Sequence, residues 1–535
     1  MLRHHVAKAF LNKAITLDEL GRCDDAVALY DAIANKYSAA GELALRKLVA
    51  TALLNKGIRL GKLGRSEEAI AVYHQLISWY SAASGPGRDD DFNAVYNFLL
   101  SGDGAASVLA LREQIATALV NKGAELGKLG RNDEAIAVYD HLLSRCDMVG
   151  EPALREHLAT ALVNKGGRLG ELGRSDEAIA VYDAVVQQYG TARDLVLRKQ
   201  VAKALFNKGH TLGKLERSDE AIAVYDDLVS RYGAASELAL RELVALALIQ
   251  KGGWLRQLGR YEEAIAVSDD IVHKYGTADE LALRKQVAEA LVNKGRVFDM
   301  QDRREEAIAV YDDLVSRYGI ADQVVPREQL AQALIHKAQN LGILGRIQET
   351  IAVLDDVVRQ YGAASEFALR RQVAKALVYK MEIIRLLGRI QEAIAVCDDI
   401  VSRYGIASEL PLREQVAKAL CVKGAELNKL ARSEEAVAVC DEIVSRYGIA
   451  NQLPLFEKVA EALLCKGTAL GALGQSDDEL AAYDDLIHRF GTATDVTLRK
   501  LVAAAIVRRY SNLAPNQVCP CGSDRPYKHC HGSSI

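Results

Sequence analysis

The sequence predicts an all-α solenoid built from helix hairpins, and three observations carry that prediction. One stretch, Gly173-Arg-Ser-Asp-Glu-Ala-Ile-Ala-Val-Tyr182 onward to Tyr189-Gly190, recurs in close copies from near the first residue almost to the last. The opening residues of the copies are Gly21, Gly64, Gly130, Gly173, Glu216, Gly259, Asp302, Gly345, Gly388, Ala431 and Gly474, so nine of the ten intervals are 43 residues and the other is 66. Within each copy apolar residues return at helical spacing, and only 8 Pro among 535 residues interrupt them. In such an array each unit buries its apolar face against its neighbours, which overrides the usual division of a long chain into separate globules.

The third unit shows how each element arises. Leu111, Ile115, Leu119, Leu126 and Leu129 lie on one helical face, which predicts a helix A of roughly 18–20 residues. Gly130 interrupts it. Asn132, like Ser66, Ser175, Ser218 and Ser433 in other units, is expected to be the N-cap of a helix B of roughly 15 residues, with acids in its first turn. The Gly after the last aromatic residue, as at Gly190, Gly233 and Gly319, suits a left-handed C-cap. Pairs such as Ser236-Glu237 and Ser408-Glu409 then start the next helix A.

A helix pair of this length fits several repeat families, and the residues separate them. Ala118-Leu-Val-Asn121-Lys-Gly123, Leu126, Gly130, Ala135-Ile and Tyr139 follow the small, large and Gly pattern of a tetratricopeptide repeat (TPR). The chain resembles a TPR protein over residues 1–511, with about nine extra residues at the front of helix A and Tyr-Gly in place of the usual closing Pro. The resemblance implies a right-handed TPR-like α-solenoid of about eleven 43-residue hairpins, in which helix A lines a concave groove. Thr497 to Tyr510 reads as a lone helix A that caps the array, its outer part made polar by Arg508 and Arg509.

Composition bounds the partners. With 67 basic and 71 acidic residues the net charge is −4, which does not supply the basic face of a protein that binds nucleic acid wholesale, and no DNA binding is expected. The N-terminus enters the first unit without the apolar core of a secretory signal, and no run approaches the roughly 18 apolar residues of a membrane span. The expectation is a cytoplasmic protein whose scattered Cys are buried free thiols. Cys397 and Cys440 among them stand where other copies have Tyr.

Comparison of the copies yields ladders. Lys fills one helix A position in all eleven units, from Lys13 to Lys466 and including Lys165 and Lys208. Asp follows the helix B Tyr position in ten of eleven, with His74 the exception. Arg begins helix A in eleven of twelve, broken by Phe456. The ladders admit two readings: Lys–Asp and Arg–Glu pairs between stacked helices, or a basic line facing an acidic partner. Asn12, Asn55, Asn121, Asn164, Asn207 and Asn293 stand where TPR clamps that grip a terminal carboxylate carry Asn. By contrast, the two residues after Gly123 and its equivalents change from copy to copy. On that basis Trp254, Arg256, Arg296 and Gln339 are candidate groove contacts.

Two segments depart from the repeat. The long interval adds roughly residues 84–104, with a breaker cluster at Gly85-Pro-Gly-Arg88 and a short amphipathic helix expected over 92–100, either a flap or a partner-binding helix. After Pro515 comes Cys519-Pro-Cys521-Gly-Ser-Asp-Arg-Pro-Tyr527-Lys-His-Cys530-His531-Gly532. Three thiols and an imidazole so close together suit tetrahedral zinc, whose binding would fold a segment too short for a core. Residues 512–535 resemble the SEC-C motif, the zinc tail best known from a secretion ATPase. The likeness implies Cys519, Cys521, Cys530 and His531 as ligands of a structural zinc, and chaperone or ribosome contact through the tail. The chain therefore reads as a non-enzymatic protein-protein interaction scaffold, its groove holding a peptide or helix and its tail docking a second protein. The alternative is a ribosome- or RNA-associated factor that uses the zinc knuckle and the basic ladder, including Lys165 and Lys208.

Overall fold

A computed structural model of the chain describes residues 2–40, 42–82, 105–145, 154–319, 326–450, 452–510 and 525. The whole 84–104 insertion, with the helix expected over 92–100, and the four proposed zinc ligands lie outside these residues. Among the described residues there are 23 helices and no strands. They alternate as expected, with helices A of 17–24 residues and helices B of 14–17. The chain divides into two compact units, Met1–Ala278 with repeats 1 to 6 and Asp279–Ile535 with repeats 7 to 11 and the cap helix Val496–Arg509. Within each unit every helix A packs on its own helix B, on the helix B before it and on the helix A of the next repeat.

The turn between helices A and B is set by one left-handed residue. All eight Gly at the opening position have φ between 72° and 76°, and their replacements Glu216, Asp302 and Ala431 adopt φ of 61°, 59° and 55°. In repeat 2 the Arg65 amide donates to the Leu60 carbonyl at 2.9 Å and Gly64 to Gly61 at 3.3 Å, a Schellman closure of helix A. That closure shifts the start of helix B. Its N-cap is the following Arg, as at Arg174 and Arg217, and Ser175 and Ser218 are already helical. No Ser side chain caps the helix there. Instead Arg174 forms a two-pronged ion pair with Glu177, both contacts at 2.7 Å, which holds that carboxylate below its usual range. Helix A is capped by a side chain at Asp194, whose Oδ1 accepts from the Val196 and Leu197 amides at 2.8 and 3.1 Å, and again at Asp495.

The Gly after the last Tyr of helix B is right-handed, contrary to the expectation from sequence. Gly190, Gly233 and Gly319 have φ of −60°, −61° and −80°. Crowding, not handedness, explains the residue. A Cβ on Gly190 would collide with the Val186 carbonyl and stand 3.1 Å from Arg231, which reaches over from the next repeat to the Gly190 carbonyl.

The core of each hairpin is a matched pair. A Cβ on Gly123 or Gly166 would stand 2.5 Å from the ring of Tyr139 or Tyr182, so the bare backbone of helix A is the bed on which the helix B ring lies. Tyr139 and Tyr182 are buried, which contributes roughly 2 kcal/mol each. In two of the repeats that lack the ring the bed changes too: Leu354 faces a unit with Ala338, and the Cys397 thiol lies 3.2 Å from the sulfur of Met381.

Candidate interaction surface

Helix A contributes the side chains at issue, and the Lys ladder is the simplest to follow. Eight of its Lys reach back across the seam to the Asp that follows the Tyr position of the preceding repeat. Lys56–Asp31, Lys165–Asp140, Lys208–Asp183, Lys337–Asp312, Lys380–Asp355 and Lys423–Asp398 all lie at 2.5 Å, Lys466–Asp441 lies at 2.6 Å, and Lys251 pairs with Asp226. Arg509 extends the series to Asp484. Lys122, whose register partner is His74, forms no ion pair among the described residues, and burial depresses its ammonium below the ordinary Lys range.

The Arg ladder stacks as well as pairs. Arg198, Arg241, Arg284, Arg327, Arg370 and Arg413 each sit 5.3–5.9 Å from the centre of the ring that ends helix B of the same repeat. Arg198 and Arg370 also pair at 2.6 and 2.8 Å with Glu237 and Glu409, the N-caps of the next helix A. The clamp-like Asn residues are turned inward too, since Asn55, Asn121, Asn164 and Asn207 lie beside the phenol groups of Tyr30, Tyr73, Tyr139 and Tyr182 of the repeat before them.

The residues that vary between copies fall into two kinds. The second residue after the helix A Gly is largely buried in the seam, as with Glu125 at 6% exposure, Asn340 at 1% and Glu426 at 2%. It is matched to a residue 41 positions earlier. Asp18 pairs with Arg59, Asp299 accepts from Asn340 at 2.7 Å, and Glu426 lies 3.7 Å from Arg385. Where the later residue is large the earlier one is Gly: Arg168 packs over Gly127, and the half-buried Trp254 over Gly213. Variation here is therefore spent on fitting neighbours together. The first residue of the pair reaches the surface, and His210, Gln339 and Thr468 are exposed.

Among the sequence candidates, Arg296 and Gln339 come together at the seam of repeats 7 and 8. Gln339 Oε1 is 3.1 Å from His336 Nδ1, and the His336 ring stacks on Tyr311 with centroids 5.8 Å apart. Burial depresses the imidazole pKa, an effect that Asp299 opposes and Arg296 reinforces. Tyr311 donates to Asp299 at 2.9 Å. Arg296 is half-buried and forms no ion pair among the described residues. Trp254 and the half-buried Arg256 belong to the other unit. Asp299, Tyr311, His336 and Asn340 were not singled out from the sequence. Asp299 offered a signal, since it stands where Gly127, Gly170 and Gly213 stand in other units. Among the described residues no three His, Cys, Asp or Glu side chains are grouped to hold a metal, and no helix is long and apolar enough to cross a membrane.

Comparison with known proteins accords with this geometry. Family models described as tetratricopeptide repeat match residues 116–146, 202–233 and 289–319, and a SEC-C motif model matches 516–533. No curated protein matches the chain. Similar solved structures include the apo form of the quorum sensor NprR from B. thuringiensis, at 12% identity over 75% of this chain and 99% of that one, with a TM-score of 0.37. A Rap protein complexed with Competence and Sporulation Factor matches at 15% over 77% and 99%, with a TM-score of 0.32. The TPR domain of P58(IPK) matches at 13% over 86% and 98%, with a TM-score of 0.21. The chain carries tetratricopeptide repeats and, at its C-terminal end, a SEC-C motif.

Proposed function

We propose that the chain is a cytoplasmic protein-interaction scaffold that acts by binding and not by catalysis. Its helices A hold a peptide or helix of one partner, and its tail docks a second protein. The observation that carries this reading is the division of labour on helix A. Most ladder cations are neutralised within the array, while a neighbouring surface position, occupied by His210, Arg296, Gln339 or Thr468, varies widely from repeat to repeat. The half-buried Arg296 beside the exposed Gln339 suits a carboxylate and an amide of a bound segment, with Trp254 and Arg256 as further contacts. Lys165 and Lys208 would contribute only by giving up Asp140 and Asp183. That requirement weakens the RNA reading.

In the tail, Cys519, Cys521, Cys530 and His531 fit a zinc ion by the chemistry of the donor set, three thiolates and an imidazole that fill a tetrahedron. The metal would supply folding energy to a segment with no core. The test is affinity capture from the native cell with three baits: the full chain, an Arg296→Ala/Gln339→Ala variant, and a chain lacking residues 512–535. One partner should be lost with the double variant and kept with the truncation, and another should behave oppositely. A captured set indifferent to both changes overturns the proposal.

A further inference from the structure

The seam between repeats 10 and 11 breaks a pattern kept elsewhere. In four earlier seams a helix B Tyr lies against a helix A Asn of the following repeat, from Tyr30–Asn55 to Tyr182–Asn207. At this one seam both positions are Cys, Cys440 and Cys465. Replacement of a long aromatic side chain by a thiol leaves space, and Gly424 keeps that space open. The Cys440 and Cys465 sulfurs lie 3.4 and 3.6 Å from the point where a Gly424 Cβ would stand. Both sulfurs therefore border one point in the joint between the two repeats.

Their surroundings differ. Cys440 is buried at 1% exposure, whereas Cys465 is partly open to solvent. Asn428 Nδ2 donates to the Cys465 sulfur at 3.3 Å, and Arg508 on the cap helix adds positive field. The neighbouring Cys440 thiol comes first among the influences that hold the Cys465 thiol below its ordinary range, and the same proximity together with burial pushes Cys440 upward. Cys421, a third thiol nearby, is turned to the Lys458 carbonyl at 3.4 Å.

We propose that Cys440 and Cys465 form an oxidisable dithiol, a modification site at which a hydroperoxide closes a disulfide that staples repeat 10 to repeat 11. The Cys465 thiolate attacks the peroxide, an S–O bond forms as the O–O bond breaks, and the departing hydroxide takes up a proton to leave as water. The Cys440 sulfur then attacks the sulfenic sulfur. The S–S bond forms, the S–O bond breaks, and the hydroxyl departs as a second water with the Cys440 proton. Two thiols lose two protons and two electrons, and one peroxide is reduced to two waters. The new bond joins helix B Ser433–Tyr447 to helix A Leu453–Ala472, so oxidation restrains the C-terminal end of the array.

The test treats the full-length protein with equimolar hydrogen peroxide, blocks the remaining thiols, and maps the unreduced peptides by mass spectrometry. A Cys440–Cys465 peptide should accumulate, vanish with dithiothreitol, and persist in Cys421→Ser. Before oxidation, Cys465 should alkylate about tenfold faster than Cys440 or Cys421. In Cys440→Ser, oxidation should stop at a Cys465 sulfenic acid trapped by dimedone. The proposal fails if the link runs to Cys421, if Cys465 passes to sulfinic acid without a link, or if neither thiol reacts.

Discussion

Phe456 and Phe490 pack with ring centroids 5.9 Å apart at the position where other repeats set an Arg over a Tyr. Both members of the pair differ together within one chain, so the contact and not either residue is what the repeat maintains. Phe456→Arg alone should lower stability by about 1 kcal/mol, since it exchanges an aromatic pair for a cation over a less polar ring. Adding Phe490→Tyr should restore roughly half of that, read as a coupling energy in a thermal-denaturation double-mutant cycle.

The bed beneath the helix B ring invites a similar cycle. Gly123→Ala places a methyl 2.5 Å from the Tyr139 ring. The expected loss is about 1–3 kcal/mol, by the usual cost of overpacking. Tyr139→Leu in the same chain should recover much of it, because repeat 8 already combines Ala338 with Leu354. Urea midpoints of the two single variants and the double variant decide the matter.

Ala431 adopts φ of 55°, a left-handed conformation that a Cβ disfavours. Ala431→Gly should therefore stabilise repeat 10, by about 0.5–1 kcal/mol after the greater freedom of Gly in the unfolded chain is subtracted. Gly64→Ala should cost a similar amount. Hydrogen exchange localised to the two turns would separate these effects from global change.

Lys122 supplies a prediction in pH. Its ammonium is depressed below the ordinary value of 10.5, chiefly by burial, so the unfolded chain holds that proton more tightly than the folded one. Stability should rise as pH passes upward through the interval between the folded and unfolded values, and the folded state bears the cost below it. His74→Asp restores the ladder partner, and should add a few tenths to about 1 kcal/mol at neutral pH. It should also flatten the alkaline rise in melting temperature.

Metal analysis of the intact chain should find one zinc, released by a strong chelator and absent in Cys519→Ser. The far-UV helical signal should be largely unchanged, because all 23 described helices lie before the tail, the last ending at Arg509.

Much of the fold was legible because a repeat prints its own constraints many times. The period, the hairpin, the ring over Gly and the turn at Gly130 all follow from comparison of copies. The start of helix B and the handedness of Gly190 were not, because both depend on where the preceding turn closes. Ser175 looks like a cap until the Arg174–Glu177 pair occupies that end. At the candidate surface, the copy-to-copy changes at Glu125, Trp254 and Asn340 resembled adaptation to a ligand. Only the three-dimensional register shows each facing a residue of the repeat before it, Gly61, Gly213 and Asp299, a relation no local pattern reveals.

The matched seams make the units non-interchangeable. Tandem copies of equal length invite recombination that removes a whole period without disturbing the helices. Loss of repeat 8 would set the Asp299 carboxylate against Ile383 in place of the amide of Asn340, leaving its Oδ1 without that donor against an apolar side chain. The helices would survive the deletion and the joint would not. Each seam thus works as a keyed fitting that preserves the order of the array.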